Sequence, residues 1–394
     1  MKKQRKPCWL EKAYWVACEK ILGFLALLPA RDHKIVFDNF GGRGYGCDPK
    51  YIAEELLKRD EDLDLVWLTR GMPEEFPKGI RPVRYGGIRA VYEQATARVW
   101  VDNFKSGIRI RKKKEQYYIQ TWHSSLGLKK NEQDAVQLDR AYVRKAMRDA
   151  SMTDLMYSNN AFRADKYRNS FWYHGEVMRC GHPRNGVLLH TPPAVIRKVR
   201  EYFGIPEEKK ILLYAPTFRS KTGSAGYRLD IGACLEALRD RFGGDYICLF
   251  RMHPNVAYQG TECSEGIIPA SDYPDMQELM AAADVMITDY SGSMFEFMLT
   301  GRPVFLFAGD IARYLADERE LYFTFEELPF SLAENKTQLR QNILEFDCEE
   351  YKAACMQFME LVGMEEDGEG ARVLADRILV TSQEIGKSFV SGDR

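Results

Sequence analysis

Apolar positions in this chain come in short bursts, separated by stretches in which they recur at helical spacing. From Lys34 onward the bursts are Lys34–Asp38, Leu63–Leu68, Arg98–Val101, Tyr117–Thr121, Leu155–Ser158 and Val177–Arg179, with helix-like stretches such as Pro49–Arg59 and Ile88–Thr96 between them. After a break near Thr191-Pro192-Pro193 the plan repeats. Strand Ile211–Tyr214 leads to helix Ala233–Arg241, strand Tyr246–Phe250, a short strand at Ile267-Ile268 and helix Met276–Ala283. The segment Asp284–Asp310 then reads as strand, polar turn, a helix closed by Gly301, and a second strand at Pro303–Phe307. Strands alternating with helices predict parallel sheets covered on both faces. Two such sets predict two doubly wound domains, over 31–190 and 191–378, with a tail at 379–394.

The first thirty residues follow a different pattern. Lys2, Lys3, Arg5 and Lys6 precede an amphipathic helical stretch whose longest uncharged run, Ile21–Ala30, is far short of the roughly 20 apolar residues that span a bilayer. Charged residues interrupt the apolar part, which fits a signal peptide poorly. Two readings stand: a helix docked on the protein's own core, or one lying in a membrane interface with its basic residues toward headgroups.

Composition narrows the class. A chain of 394 residues with 45% hydrophobic and 29% charged content is a folded globular protein long enough for two domains. The formal net charge of −1 makes any basic surface local and argues against a nucleic-acid partner. Nine cysteines form no C-x-x-C pair, against a zinc site or a disulfide framework and for a reducing cytoplasm. Asp62-x-Asp64 reads as a solvated turn, so no metal ligand is assigned and no cofactor is expected.

In open parallel sheets, ligands bind beyond the carboxyl ends of the strands. At those ends sit His123, followed by Ser124, Ser125, Lys129 and Lys130, then Arg184 in a Gly-His-Pro-Arg-Asn turn, then Arg219, His253, Asp289, Ser291, Gly292 and Ser293. A histidine can take a proton from an alcohol, arginine can grip a phosphate, and backbone N–H groups in a Ser-Gly-Ser turn can meet an anion. Ser293-x-x-Glu296 also fits a capping box, in which both side chains only satisfy helix donors. The basic run Lys105–Lys114 is either solvated or turned toward phosphates.

The motifs Gln120-Thr121-Trp122-His123, Leu128-Lys129-Lys130, Gly181–Asn185, Tyr214–Arg219, Arg251–Asn255 and Ile287–Phe297 together resemble the CDP-glycerol glycerophosphotransferase family of teichoic acid synthesis, over about Lys34–Ile378. The resemblance implies a GT-B-like fold, with an acceptor-side N-terminal domain and a donor-binding C-terminal domain. It also implies transfer of a polyol phosphate from CDP-glycerol, or another CDP-polyol, to a lipid-linked acceptor at the cytoplasmic face of the cell membrane. Carried over, His123 becomes the general base, and His253 with Arg219 meets the charge on departing CMP. Ser291, Gly292 and Ser293 hold the diphosphate, with Asp289 and Glu296 on the donor side. Ser124, Ser125, Lys129, Lys130 and Arg184 face phosphate and acceptor.

This chain departs from the family where Ser124-Ser125-Leu126 replaces Gly-Thr-Pro, and where Gly292 replaces a second serine. Phe218 stands for a frequent tryptophan and Gly186 for a frequent aspartate. These changes bear on donor and acceptor identity. The same architecture also admits a nucleotide-sugar glycosyltransferase, and a scaffold binding nucleotide or anionic lipid is the non-enzymatic reading.

Overall fold

The apolar bursts pair as two wholly parallel sheets in a computed structural model of the chain. It describes residues 23–25, 27–59, 62–71, 76–105, 110–217, 229–252, 266–311, 314 and 320–391, with the backbone alone for 386–391.

The first sheet contains β1 (Arg31–Asp38), β2 (Asp64–Thr69), β3 (Ile80–Arg84), β4 (Ala97–Asp102), β5 (Tyr117–Gln120), β6 (Leu155–Ser158) and β7 (Glu176–Arg179), in the order β3-β2-β1-β4-β5-β6-β7. Successive side chains point to opposite faces, so Ile35, Phe37, Val99 and Val101 enter one core while Val36 and Trp100 enter the other. Helix α1 (Cys47–Leu57) covers the first face with Ile52, Ala53 and Leu56. Helix α2 (Ile88–Thr96) covers the second with Ala90 and Ala95. β3 was not anticipated from the pattern: Arg81 and Pro82 dilute its apolar signal, and Pro82 is tolerated because the strand lies on the sheet edge.

Helices α3 (Arg140–Met152) and α4 (Ala161–Ser170), a short α5 (Gly186–Leu189) and α6 (Pro193–Phe203) lead to the second sheet. It is built from β8 (Lys210–Tyr214), β9 (Tyr246–Phe250), β10 (Ile267–Pro269), β11 (Val285–Thr288), β12 (Val304–Phe307) and β13 (Ser331–Ala333), in the order β10-β9-β8-β11-β12-β13. Around it pack α7 (Ile231–Phe242), α8 (Met276–Ala282), α9 (Ser293–Phe297), α10 (Lys336–Leu344) and α11 (Cys348–Leu361), about one large core.

The last helix, α12 (Gly370–Ser391), departs from the expected division. It returns to the first domain and buries Leu374, Ala375 and Ile378 in the core shared by Phe37, Trp67 and Val101. The boundary expected at 378 falls inside this helix, because an apolar stripe specifies that a helix is buried but not against which core. The crossing is tight. A side chain on Gly370 would meet the Gly181 carbonyl at 2.1 Å, and one on Gly186 would meet the Gly368 carbonyl at 2.6 Å. Glu366 accepts from His182 N, Asn159 Nδ2 and Asn185 Nδ2, so the Gly-His-Pro-Arg-Asn turn serves as the seat of the returning chain.

Most of the N-terminal amphipathic segment lies outside the described residues. Where its end is described, Leu25 is buried against the first domain and Lys113 Nζ donates to the Leu28 carbonyl, while Phe24 and Leu27 stay exposed.

Candidate functional site

Each sheet reverses its strand order once, between β1 and β4 in the first and between β8 and β11 in the second. Those reversals leave a crevice at the carboxyl ends of the strands. The two crevices face one cleft of about 940 Å³, lined by His123, Ser124, Gly127, Lys129 and Lys130 from the first domain and by Thr217, Tyr290, Ser291 and Gly292 from the second.

His123 is placed by its own motif. Trp122 takes a left-handed backbone conformation, φ +55°, which is uncommon for a residue with a side chain. The Gln120 amide oxygen accepts from Trp122 N at 3.0 Å and Thr121 Oγ1 donates to the Trp122 carbonyl at 3.0 Å. Gln-Thr-Trp is thus a turn-holding device that aims the next side chain into the cleft. The loop beyond is pinned to the other domain, because Leu126 and Leu128 are buried in the second core. Tyr322 N donates to the Leu128 carbonyl, and Lys130 N to the Glu320 carbonyl.

The imidazole rests on the ends of β1 and β4. Its Nδ1 lies 3.0 Å from the Asn103 carbonyl, which can only accept, so Nδ1 carries the proton and Nε2 keeps its lone pair. Asn103 is itself fixed, donating to Asn39 Oδ1 at 2.6 Å and accepting from Phe40 N at 2.7 Å. Trp122, Phe40 and Phe104 ring the imidazole at 4.4, 5.4 and 6.3 Å. Burial pushes its pKa down to about 4 against the pull of the Asn103 carbonyl, and the nearby cations Arg184, Arg163 and Lys105 act in the same direction as burial. The ring is therefore neutral at pH 7 although partly open to the cleft.

The sequence reading missed Asn39 and Asn103. Their signal was in plain view, because Asp-Asn-Phe occurs twice, at 38–40 and 102–104. The two copies end adjacent strands in register, Asp38 opposite Asp102. Burial raises the Asp38 carboxyl to about 7, and burial followed by the nearby Asp38 carboxylate holds Asp102 well above the usual range.

Lys105 was expected in a solvated or phosphate-facing basic run. Instead it is buried behind the cleft wall on Glu132, with Trp122, Tyr142, Phe171 and Trp172 about it at 5.5 to 5.6 Å. Glu132 also accepts from the Tyr142 hydroxyl. This clamp holds Trp122, and through it the imidazole face. Residues 106–109 of the run lie outside the described residues, and Lys112 pairs with Asp154.

On the second domain, Asp289 is buried and ties the two strand ends together: its Oδ1 accepts from Thr217 N at 2.8 Å, from the Thr217 hydroxyl and from Tyr290 N at 2.6 Å. Thr217 and Tyr290 are lining residues that sequence reasoning did not single out. Ser291 and Gly292 face the cleft, with Ser293 one step behind and its Oγ 2.8 Å from Ser291 Oγ. The Tyr290 ring stacks on Tyr314 at 3.6 Å, and the Lys129 ammonium lies 5.3 Å from the Tyr314 centroid. Lys130 pairs with Glu320, and Ser125 is buried with its carbonyl accepting from Asn160 Nδ2.

Two residues of the reading are turned elsewhere. Arg184 and Glu296 are buried and bonded to each other, Nη2 to Oε1 at 2.6 Å, while Asp48 accepts from Arg184 and Gln277 donates to Glu296 at 2.6 Å. No capping box forms, since Gly292 is the N-cap of α9 and caps with no side chain. These groups join the domains rather than line the cleft, as do Lys50, Asp275 and Glu278 beside them. Arg219 and His253 lie outside the described residues.

Comparison with known proteins places the chain. The family described as CDP-Glycerol:Poly(glycerophosphate) glycerophosphotransferase matches residues 22–380. A teichoic acid poly(glycerol phosphate) polymerase of Bacillus spizizenii is 30% identical over 322 residues, 78% of this chain and 82% of that protein. A teichoic acid glycerol-phosphate transferase of Staphylococcus aureus is 28% identical over 370 residues, 90% of this chain and 94% of its own. Among solved structures, the wall teichoic acid polymerase TagF, as a histidine-to-asparagine variant soaked with CDPG, superposes with a TM-score of 0.82 at 26% identity, covering 96% of this chain and 97% of that one.

Proposed function

The chain belongs to the CDP-glycerol:poly(glycerophosphate) glycerophosphotransferase family, and from that membership we propose that it transfers glycerol phosphate from CDP-glycerol to a hydroxyl of a lipid-linked acceptor in teichoic acid synthesis, releasing CMP. It is an enzyme of GT-B-like build. The observation that carries the reading is the meeting, in one interdomain cleft, of a neutral histidine with a fixed tautomer and the Ser291-Gly292 turn of the other domain.

In the reaction, the acceptor oxygen attacks the phosphorus that bears the glycerol. The bond from that phosphorus to the bridging oxygen breaks, and CMP leaves with the electron pair. His123 Nε2 takes the proton of the attacking hydroxyl, which it can do because the Asn103 carbonyl keeps Nδ1 protonated. Ser291, Gly292 and Thr217 hold the diphosphate with Lys129 close by, while Arg219 and His253 meet the charge on CMP.

The lip of the cleft also suits a lipid acceptor. Phe104 and Val136 are exposed in its lining, the Lys145 ammonium of α3 lies 5.2 Å from the Phe104 ring, and α3 also carries Arg140, Arg144, Met147 and Arg148 exposed. Apolar side chains flanked by cations fit an anionic membrane surface, which presents the lipid-linked chain end to the cleft. No helix among the described residues is long and apolar enough to cross a membrane.

Incubation with CDP-glycerol, CDP-ribitol and a panel of nucleotide sugars tests the reading. CMP release with a new phosphodiester in the ³¹P spectrum is expected from a CDP-polyol. A nucleoside diphosphate and a glycosidic product would assign the chain to sugar transfer instead.

A further inference from the structure

Ser124 follows the base directly and lines the cleft, yet among the described residues its hydroxyl has no hydrogen-bond partner. The acidic side chains around it are otherwise occupied. Glu132 holds Lys105 and Tyr142, Glu320 holds Lys130, and Asp139 caps α3 through Ala141 N and Tyr142 N. Ser124 is thus a polar group of this wall that the fold leaves unused.

Its surroundings are shaped by two glycines, one from each domain. A Cβ on Gly292 would stand 3.2 Å from Ser124 Oγ and 3.7 Å from the Gly127 Cα. A Cβ on Gly127, where φ is +77°, would stand 2.8 Å from the same oxygen and 2.2 Å from Arg163 Nη2. The serine oxygen therefore lies where a side chain at position 292 would begin. The wall behind it is rigid: Arg163 Nη2 donates to the Leu126 carbonyl, Asn160 Nδ2 to the Ser125 carbonyl at 3.1 Å, and Asn160 Oδ1 accepts from Arg163 N at 2.7 Å. A hydroxyl carried at 124 thus stands beside the Ser291-Gly292 turn without any movement of the domains.

We propose that Ser124 is a donor-positioning residue, whose hydroxyl crosses the cleft to a phosphate oxygen of the nucleotide donor and replaces a hydroxyl that position 292, as glycine, does not supply. The inference rests on the reading of the cleft as a CDP-polyol site. It assigns Ser124 and Gly292 as a coupled pair: the hydroxyl can come from either side, but there is room for only one.

The pair makes a double-mutant cycle the natural test. A hydrogen bond to a charged phosphate is among the stronger ones, so Ser124→Ala should weaken CDP-glycerol binding by roughly tenfold, seen as a raised KM with kcat changed less than about threefold. Gly292→Ser alone should also impair binding, because the added side chain meets Ser124. The double variant S124A/G292S should bind the donor within about threefold of the parent. Calorimetry with CDP-glycerol on the full chain, with thermal melts confirming folding, reads all four corners. If the parent binds and Ser124→Ala binds equally well, or if the double variant is no better than the product of the singles, this inference fails while the functional reading stands. If the parent itself does not bind CDP-glycerol, both fail.

Discussion

Removing the Arg184 guanidinium separates a structural role from a ligand-binding one. Arg184 is 1% exposed and Asp48 is wholly buried, and the guanidinium spans Asp48 of the first domain and Glu296 of the second. Burial alone would raise the Asp48 carboxyl, but Arg184 and His182 hold it below the usual range. In Arg184→Met two carboxylates lose their shared cation in a site closed to water, and breaking a buried pair from one side costs about 3–5 kcal/mol. The double variant R184M/E296Q leaves one such charge instead of two, so it should recover part of that loss. The assay is urea denaturation followed by tryptophan fluorescence at neutral pH, with CDP-glycerol binding measured below the transition. A lower midpoint in R184M, partly restored in the double variant, with donor affinity little changed, is expected. An unmoved midpoint combined with a large loss of affinity would mean that Arg184 grips phosphate, and the assignment of this network as an interdomain tie would be wrong.

Two further outcomes follow from the buried ionisable groups. His123 must be neutral to act, and its pKa lies near 4 in the free protein, so kcat/KM should hold its value on acidification well below pH 6.5. Bound diphosphate offsets Arg184, Arg163 and Lys105, so the acid limb of kcat should lie at higher pH than that of kcat/KM; coincident limbs in paired pH profiles would contradict this. Asp102 takes its raised pKa from burial and then from Asp38, so the folded state holds a proton that the unfolded chain releases at about pH 4. Stability from this group is full below that pH and is lost as pH rises toward the folded pKa. Asp102→Asn should therefore lose less stability between pH 5 and pH 8 than the parent, compared by denaturation midpoints; parallel slopes would refute it.

Much of this was legible in the chain because each signal is local. The strands Leu155–Ser158 and Tyr246–Phe250 and the helix Ile88–Thr96 fall where apolar spacing places them. The GT-B-like plan was legible too, since two alternating sets separated by a proline break admit few arrangements. What escaped depends on distance along the chain. Arg184 and Glu296 are 112 residues apart, and nothing near either position says that its charge will be met inside the protein. Helix α4 was not read because its buried positions include Arg163, while its neighbour Phe162 serves the other domain's core. The seat of His123 was legible but overlooked. The repeated Asp-Asn-Phe marks two strand ends that a parallel sheet sets side by side, and the imidazole rests where they meet.

The central claim is that His123 takes the acceptor's proton at a donor site built by the second domain. It is tested most directly by His123→Ala, assayed for CMP release from CDP-glycerol with a lipid-linked acceptor and, on the same preparation, for CDP-glycerol binding. Transfer lost by several orders of magnitude with binding nearly intact is the predicted result. Turnover retained within about tenfold of the parent would contradict it.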